Sequence, residues 1–145
     1  MTVNHTQYKK VCLGRDYLTQ HYALAFDLAD VATYSCMSKY HFCRVFSEVF
    51  GESPYQYISK IRIERAKELL VTSQRSINDI CELVGYTSIG SFSVLFRKKT
   101  GLSPTQYRTK LQALANDPLT HPIQSIPMCY AHRLFGAKLE KSNIE

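Results

Sequence analysis

The side chains best suited to recognition chemistry surround an arginine in residues 39–50, a segment with the apolar periodicity of an amphipathic helix. Its apolar residues recur at i, i+3, i+4 and i+7, so they form one buried face: Phe42, Val45, Phe46 and Val49. The outer face then carries Tyr40, Cys43 and Arg44. The planar fork of an arginine can bond both O6 and N7 of guanine, which discriminates against other bases by roughly 1–3 kcal/mol. Arg44 is therefore the strongest candidate for reading a base edge, and Tyr40 and Cys43 are further candidate base contacts.

A second helix of the same kind is predicted over residues 89–100, where Thr87 or Ser88 can cap the start. Its outer positions offer no arginine, asparagine or glutamine ahead of Arg97, so direct hydrogen-bond readout must be poor. Apolar side chains there can contact thymine methyl groups, a serine can bond a base, and a glycine allows close backbone approach. The candidate base contacts on this helix are Ile89, Gly90, Ser93 and Val94.

Helix N-termini and nearby cations are the groups that bind phosphates, because the first backbone N–H groups of a helix have no partner within it. The candidate phosphate contacts are Ser38, Lys39, Ser53, Ser88, Arg97, Lys98, Ser103 and Arg108. Each serine also stands where a helix cap is predicted, so capping is its first role and phosphate binding is an addition. The alternative for the cations is a solvated surface position, and this alternative is stronger for Lys39 than for Arg44.

The two predicted helices belong to an internal repeat. Seven residues between Phe42 and Tyr57 recur in the same order between Phe92 and Tyr107, at a constant offset of 50. Ahead of them the offset is 49, so the second copy has one extra residue near Gly85. In each copy a short helix, a turn and a longer helix follow one another, which is the helix-turn-helix arrangement. An internal repeat is stronger evidence than a single motif, and this one predicts two recognition helices.

Local signals predict further helices around these two. Asp27 can cap a helix over 28–34, and Ser38 can cap the helix over 39–50. A first helix is expected over 9–22, although Gly14 is unfavourable in a helix interior. The expected fold class is therefore all-α, with about seven helices in two helix-turn-helix lobes.

Capping boxes begin at Ser53, Ser76 and Ser103, each with an acceptor side chain three residues later. The helix that follows Ser53 would join the two lobes, and at ~1.5 Å per residue it measures about 25 Å. The predicted parts are a flexible N-terminus (1–8), a first lobe (9–52), a linking helix (53–72), a second lobe (73–115) and an extension of unknown role (116–145).

One long pattern joins the second helix-turn-helix to the helix after it. It reads Ser76-Ile77-x-x-Ile80, Gly85-Tyr86, Phe92-x-x-x-Phe96-Arg97-Lys98 and Gly101-x-Ser103-Pro104-x-x-Tyr107-Arg108, preceded by Arg62-x-x-x-Ala66-x-x-Leu69-Leu70. With these residues the chain resembles the DNA-binding domain of the AraC/XylS transcription regulators, from about Tyr17 to Lys110. A motif of this length is highly specific. The chain departs from the family at Cys81, usually alanine, at Gly90, usually serine or threonine, and at Val94, often a base-reading arginine.

The resemblance implies a transcription regulator without catalytic activity that binds double-stranded DNA. Its two recognition helices would enter successive major-groove segments of an asymmetric site, and the first lobe would carry most of the specificity. The family mostly activates transcription by contacting RNA polymerase, so activation is expected. One copy of the chain suffices on DNA, and a dimer through 116–145 stays open. Too few residues precede the first helix-turn-helix for a separate effector domain, so a small stand-alone member is expected.

The composition agrees with a protein of the bacterial cytoplasm, at the nucleoid, that binds an anionic partner. The formal net charge is +6 and the pI is about 9.1, which favours nucleic acid. No apolar run reaches the ~18 residues of a membrane span, and the first ten residues lack the apolar core of a signal peptide. The 5 cysteines include no C-x-x-C pair, which favours free thiols in a reducing compartment. Neither a cofactor nor a metal is expected.

Several alternatives remain open at this point. The chain would be a helical protein-interaction module if 116–145 formed a dimerisation arm, and steep salt dependence of DNA binding would exclude this. A cysteine-based DNA-repair enzyme would need a catalytic domain, for which too few residues remain. Oxidation of Cys43 beside Arg44 would block DNA binding if that thiol were reactive. A zinc half-site would use His121, Cys129 and His132, but a structural site needs four ligands.

Overall fold

The computed structural model describes residues 3–116, and every regular element within them is an α-helix. The helices are α1 (His5–Gln20), α2 (Leu28–Tyr34), α3 (Lys39–Phe50), α4 (Pro54–Thr72), α5 (Ile77–Leu83), α6 (Ile89–Thr100) and α7 (Pro104–Asn116). The prediction of an all-α fold with about seven helices is confirmed. None of these helices combines the length and the apolar character that crossing a membrane requires. Apart from Asn116, the predicted extension over 116–145 lies outside the described residues.

The chain divides into two compact units, and the division falls within α4. Of the described residues, the first unit holds 3–64 and Glu82–Gly85, while the second holds Arg65–Cys81 and 86–116. The first unit therefore holds α1, α2 and α3, and the second holds α6 and α7. Each predicted recognition helix belongs to a unit of its own, and the helix predicted to link the lobes is shared between the units.

In the first unit, α1, α2 and α3 pack against one another around an apolar core. Val11 and Leu18 of α1 are buried, as are Phe42, Val45 and Phe46 of α3, which their helical spacing predicts. Burying a side chain of this size stabilises the fold by about 1.5–3 kcal/mol. Because these residues hold one face of α3 inward, the opposite face is presented to solvent.

The aromatic residues of the repeat make the same contacts in each unit. The Phe46 ring lies 5.5 Å from the ring of Phe42 and 5.5 Å from that of Tyr57, the second contact being edge-to-face. At the equivalent residues 50 positions later, the separations are 5.7 Å and 5.4 Å, and the second contact is again edge-to-face. Such pairs contribute about 0.5–1.5 kcal/mol beyond the area that they bury. The repeat in sequence is therefore a repeat in packing.

Capping boxes begin three of the helices where the sequence predicts them. Before α4, Ser53 Oγ accepts from the N–H of Gln56 at 3.2 Å, and the Gln56 side chain accepts from the N–H of Ser53 at 2.8 Å. Ser76 and Ser103 form the same reciprocal pair with the side chain three residues later, before α5 and α7. A cap of this type is worth about 0.5–2 kcal/mol. Local side-chain chemistry therefore sets where these helices begin.

Helix α1 differs from the prediction at both ends. It begins at His5 because Asn4 and Gln7 form a further capping box, in which the Asn4 side chain accepts from the N–H of Gln7 at 2.8 Å. The Gln7 side chain accepts in return from the N–H of Asn4 at 3.1 Å. Residues 5–8 are therefore helical, where the prediction had a flexible N-terminus. The helix ends at Gln20, two residues before the predicted end.

Gly14, which is unfavourable for helix formation, lies inside α1 for a packing reason. A β-carbon at this position would stand 2.6 Å from Phe42 Cζ and 2.6 Å from Ser35 Oγ. Any larger residue would displace the Phe42 ring, and with it α3. The close approach of α3 to α1 therefore requires a glycine here.

Gly85, in the turn after α5, is constrained both by its backbone and by its surroundings. Its φ of +94° lies in the left-handed region that favours glycine, and an added β-carbon would stand 2.8 Å from the carbonyl oxygen of Ala23. Arg62 fixes that neighbouring backbone, because its Nε donates to the Tyr22 carbonyl at 2.7 Å and its Nη2 to the Leu24 carbonyl at 3.0 Å. The added β-carbon would also lie 3.0 Å from Arg62 Cζ. A side chain at position 85 would therefore meet atoms that are held in place.

Replacing Gly85 with alanine is expected to lower the free energy of unfolding by about 1–3 kcal/mol more than replacing Gly51 with alanine. Both residues have a positive φ, at +94° and +73°, so both substitutions carry the conformational cost of that backbone. Of these two glycines, Gly85 alone has described atoms in the space of the new β-carbon, since nothing lies within 4 Å of that position at Gly51. Urea unfolding of both variants measures the difference, and equal losses of stability would contradict this account.

Candidate nucleic-acid interface

Helix α3 begins with a cap and a cation. Ser38 Oγ accepts from the N–H of His41 at 3.4 Å, which is the capping role predicted for it. Lys39 Nζ lies 3.6 Å from Oδ1 of Asp27, the residue that caps α2. The hydrogen bond from the N–H of Ala29, and then the charge of Lys39, lower the pKa of Asp27, so this carboxylate stays ionised at neutral pH. Both partners of the ion pair are exposed, so the pair is weak and leaves Lys39 available to a phosphate.

The outer face of α3 presents two strongly exposed side chains. Tyr40 is 78% exposed, and Arg44 is exposed as well. Cys43, between them on the helix, is half-buried and packs against the core of the first unit. The structure therefore brings Tyr40 and Arg44 together on one face, whereas the base contact predicted for Cys43 stays a prediction for a side chain turned partly inward.

Two residues that the sequence did not indicate connect Arg44 to helix α1. Arg44 Nη2 is 3.3 Å from His41 Nδ1, and His41 Nε2 is in turn 3.2 Å from Nε2 of Gln7 in α1. His41 precedes Arg44 by three residues, a spacing that places both on the same side of a helix and was visible in the sequence. Gln7 is remote in sequence, so no local pattern could have indicated its contact.

Helix α6 presents an apolar outer face. Ser88, rather than Thr87, caps it, because Ser88 Oγ accepts from a backbone N–H of the first turn at 3.3 Å. Val94 is 71% exposed and Ile89 is 45% exposed. Exposed apolar side chains on the outer face of a helix fit contacts with thymine methyl groups. The predicted absence of hydrogen-bonding base readers on this face agrees with what the helix exposes.

Gly90 and Ser93 complete the predicted base contacts of α6. A β-carbon at Gly90 would meet, among the described residues, only Ser88 Oγ at 3.7 Å, which is ordinary contact. Packing within the described part of the chain therefore does not require a glycine here. Ser93 is half-buried, so part of its surface is accessible to a binding partner.

Three exposed cations end α6: Arg97, Lys98 and Lys99. Cations in the last turn of a helix interact favourably with the negative end of its dipole, by about 0.3–1 kcal/mol each. These cations therefore have a structural benefit that is independent of DNA. The phosphate contacts predicted for Arg97 and Lys98 stay predictions.

Ser53 and Ser103 are half-buried and serve as caps. Their hydroxyl oxygens accept from backbone N–H groups at 3.2 Å and 3.3 Å. A phosphate contact at either serine would thus be additional to a hydrogen bond that already exists.

Arg108, one of the candidate phosphate contacts, also has a structural task. Its Nε donates to the Leu70 carbonyl at 3.1 Å, and its Nη2 donates to the Arg75 carbonyl at 2.6 Å. These carbonyls belong to the last turn of α4 and to the segment after it, where carbonyl groups lack partners within the helix. Arg62 does the same in the first unit for two carbonyls that follow α1. These bonds use two of the five donors of the guanidinium, and the phosphate contact of Arg108 stays a prediction.

Side chains with metal-ligand chemistry do not cluster in residues 3–116, where no group of three or more histidine, cysteine or acidic residues could hold an ion. The cysteines described there form no disulfide: Cys12, Cys36, Cys43 and Cys81. The half-site of His121, Cys129 and His132 considered from the sequence lies outside the described residues.

Comparison with known proteins supports the assignment of these helices. A family model described as a helix-turn-helix domain matches residues 31–110, more than half of the chain. Among solved structures, the DNA-binding domain of AdpA, a global transcriptional factor, was determined in complex with a target DNA. It matches with a TM-score of 0.68 and 27% identity, over 76% of this chain and 97% of that domain.

Two similar curated proteins carry the names of operon regulators. The MmsAB operon regulatory protein of Pseudomonas aeruginosa is 33% identical over 96 residues, which cover 66% of this chain and 31% of that protein. The arabinose operon regulatory protein of Escherichia coli K12 is 33% identical over 102 residues, which cover 70% of this chain and 35% of that protein. The matched part of the chain thus spans about a third of the length of these relatives.

Replacing Arg108 with alanine is expected to lower the free energy of unfolding by about 1–3 kcal/mol, because two helix-end carbonyls lose a charged donor. Arg97→Ala is the matched control, since it removes the same side chain from an exposed position and should cost no more than the ~0.3–1 kcal/mol of its interaction with the helix dipole. Thermal and urea unfolding measure both variants. Similar stability in the two variants would argue against a structural task for Arg108.

Proposed function

The chain belongs to the family of AraC-type helix-turn-helix domains, and we propose that it regulates transcription by binding double-stranded DNA at specific sequences. Binding takes place through the outer faces of α3 and α6, one in each unit. The net charge of +6 favours the approach of such a polyanion. The similarity to the AdpA domain, which was determined with its target DNA, supports the proposal.

The exposed outer face of α3 is the observation that most directly supports sequence reading. Its first half presents Tyr40 and Arg44 to solvent, while the opposite face is held in the core. A recognition helix lies in the major groove with residues of this kind against the base edges. In this arrangement the fork of Arg44 bonds O6 and N7 of a guanine, and Tyr40 covers a thymine methyl group or a sugar. Ser38 and Lys39, at the start of the helix, then meet a phosphate.

Helix α6 makes a different contribution, because its exposed residues are poor hydrogen-bonding partners for bases. Ile89 and Val94 contact thymine methyl groups, and Gly90 admits a close approach of the DNA. Arg97 and Lys98 neutralise phosphates, which supplies affinity without base choice. The second helix therefore stabilises the complex and reads DNA shape more than base identity.

Two unequal recognition helices call for an asymmetric DNA site. In our proposal they enter successive major-groove segments, about one helical turn or roughly 10 bp apart. One copy of the chain suffices for such a site, and no palindrome is needed. A dimer through 116–145 stays a separate possibility for residues that the structure does not describe.

We further propose that binding activates transcription through contact with RNA polymerase, in the bacterial cytoplasm. The names of the two operon regulators among its relatives support a regulatory role. A binding function, rather than catalysis, is proposed because the matched family consists of helix-turn-helix domains.

Arg44→Ala is expected to lower affinity for the preferred DNA sequence by roughly 10- to 100-fold, with little change for unrelated DNA. Lys98→Ala is the control, because loss of a phosphate contact weakens binding to all sequences alike. That variant should also reduce the slope of log affinity against log salt by about 1. Fluorescence anisotropy with a preferred and a scrambled duplex, at two salt concentrations, measures both effects.

Equal losses for the two duplexes in Arg44→Ala would contradict base reading by this residue. If the unaltered protein bound neither duplex at low salt, the helical protein-interaction module would be favoured instead.

A further inference from the structure

His41 lies between the candidate base reader and helix α1. Its Nδ1 is 3.3 Å from Nη2 of Arg44, and its Nε2 is 3.2 Å from Nε2 of Gln7. Its own N–H donates to Ser38 Oγ, so the residue stands in the first turn of α3. The side chain is half-buried, so the residues around it restrict its orientation. The ring therefore offers the Arg44 side chain a hydrogen-bond acceptor in a fixed position.

His41 can form a hydrogen bond with Arg44 or with Gln7, but not with both at once. A guanidinium has only donors, so His41 Nδ1 must accept from Arg44, and the proton of the neutral ring is then on Nε2. The Gln7 group that faces the ring is the amide nitrogen, because the amide oxygen already accepts from the N–H of Asn4 at 3.1 Å. An amide nitrogen is also a donor. Accepting from Gln7 would require the other tautomer, with a proton on Nδ1 facing Arg44. The ring therefore accepts from one partner at a time.

The charge of Arg44 decides between the two tautomers. A hydrogen bond from an ionised donor is roughly twice as strong as one between neutral groups. The tautomer that accepts from Arg44 is therefore favoured over the one that accepts from Gln7. The capping box of α1 holds the Gln7 side chain, and Gln7 thereby restricts movement of the His41 ring on the side opposite Arg44.

We propose that His41 is a positioning residue for Arg44, an inference that rests on the proposed reading of bases by Arg44. A guanidinium carries five N–H donors, so one can remain on His41 while two others bond O6 and N7 of guanine. Holding a long side chain in its binding orientation reduces the entropy lost when the complex forms. His41 thereby sharpens the choice of one base pair without itself bonding to it.

The test compares base discrimination among matched variants. The preferred duplex is compared with the duplex in which the base pair most sensitive to Arg44→Ala is changed, and the ratio of the two Kd values is the readout. The variants are His41→Ala, His41→Asn, Arg44→Ala and the double variant His41→Ala with Arg44→Ala. Unfolding of each variant is measured as well, because a purely structural role would change stability and leave the ratio unchanged.

His41→Ala is expected to lower the discrimination ratio by roughly 3- to 10-fold, and to have no further effect when Arg44 is already alanine. His41→Asn is expected to keep the ratio within about 2-fold of the unaltered protein, since its amide oxygen can accept where Nδ1 accepts. An unchanged ratio in His41→Ala would overturn the inference. The same loss with and without Arg44 would also overturn it.

Failure of the proposed function gives different results. If Arg44→Ala kept the full ratio, Arg44 would not read a base, and the inference would fall while sequence-specific binding stood. If the unaltered protein showed no preferred duplex at all, the proposed function itself would be wrong.

Discussion

The rest of the structure depends on an edge-to-face contact between a phenylalanine of each recognition helix and a tyrosine of the following helix. Phe46 makes it with Tyr57, and Phe96 makes it with Tyr107. The contact fixes the rotation of the recognition helix about its own axis. A shift of one residue along the helix would turn its outer face by about 100°, because 3.6 residues make one turn. The core therefore determines which side chains can reach DNA.

Two arginines carry out the same structural task at positions that the repeat does not relate. Arg62 and Arg108 each bind two carbonyl groups at or just after the end of a helix. They are 46 residues apart, whereas the aromatic residues repeat at 50. An alignment of the two copies of the repeat could not reveal these arginines, because their positions depend on where the preceding helix ends.

Features set by neighbouring residues could be predicted from the sequence, and contacts between distant residues could not. The bounds of α2 and α3 agree with the prediction, because a cap, an apolar period and the left-handed Gly51 are all local. The start of α1 was missed, since the Asn4 and Gln7 capping box lies in a polar stretch that offers no apolar period. In the candidate site, the exposure of Arg44 followed from helical spacing. Its contact with His41, and the link from there to α1, depend on how the helices pack.

Selection of binding sites from a random pool of duplex DNA, at two salt concentrations, tests the central claim most directly. The account predicts an asymmetric motif of two blocks about one helical turn apart, one of them more sharply defined than the other. Raising the salt concentration should lower affinity for all duplexes while leaving the motif intact. If the protein bound DNA without any enriched motif, or selected a symmetric motif of two equal blocks, the unequal roles proposed for α3 and α6 would be contradicted.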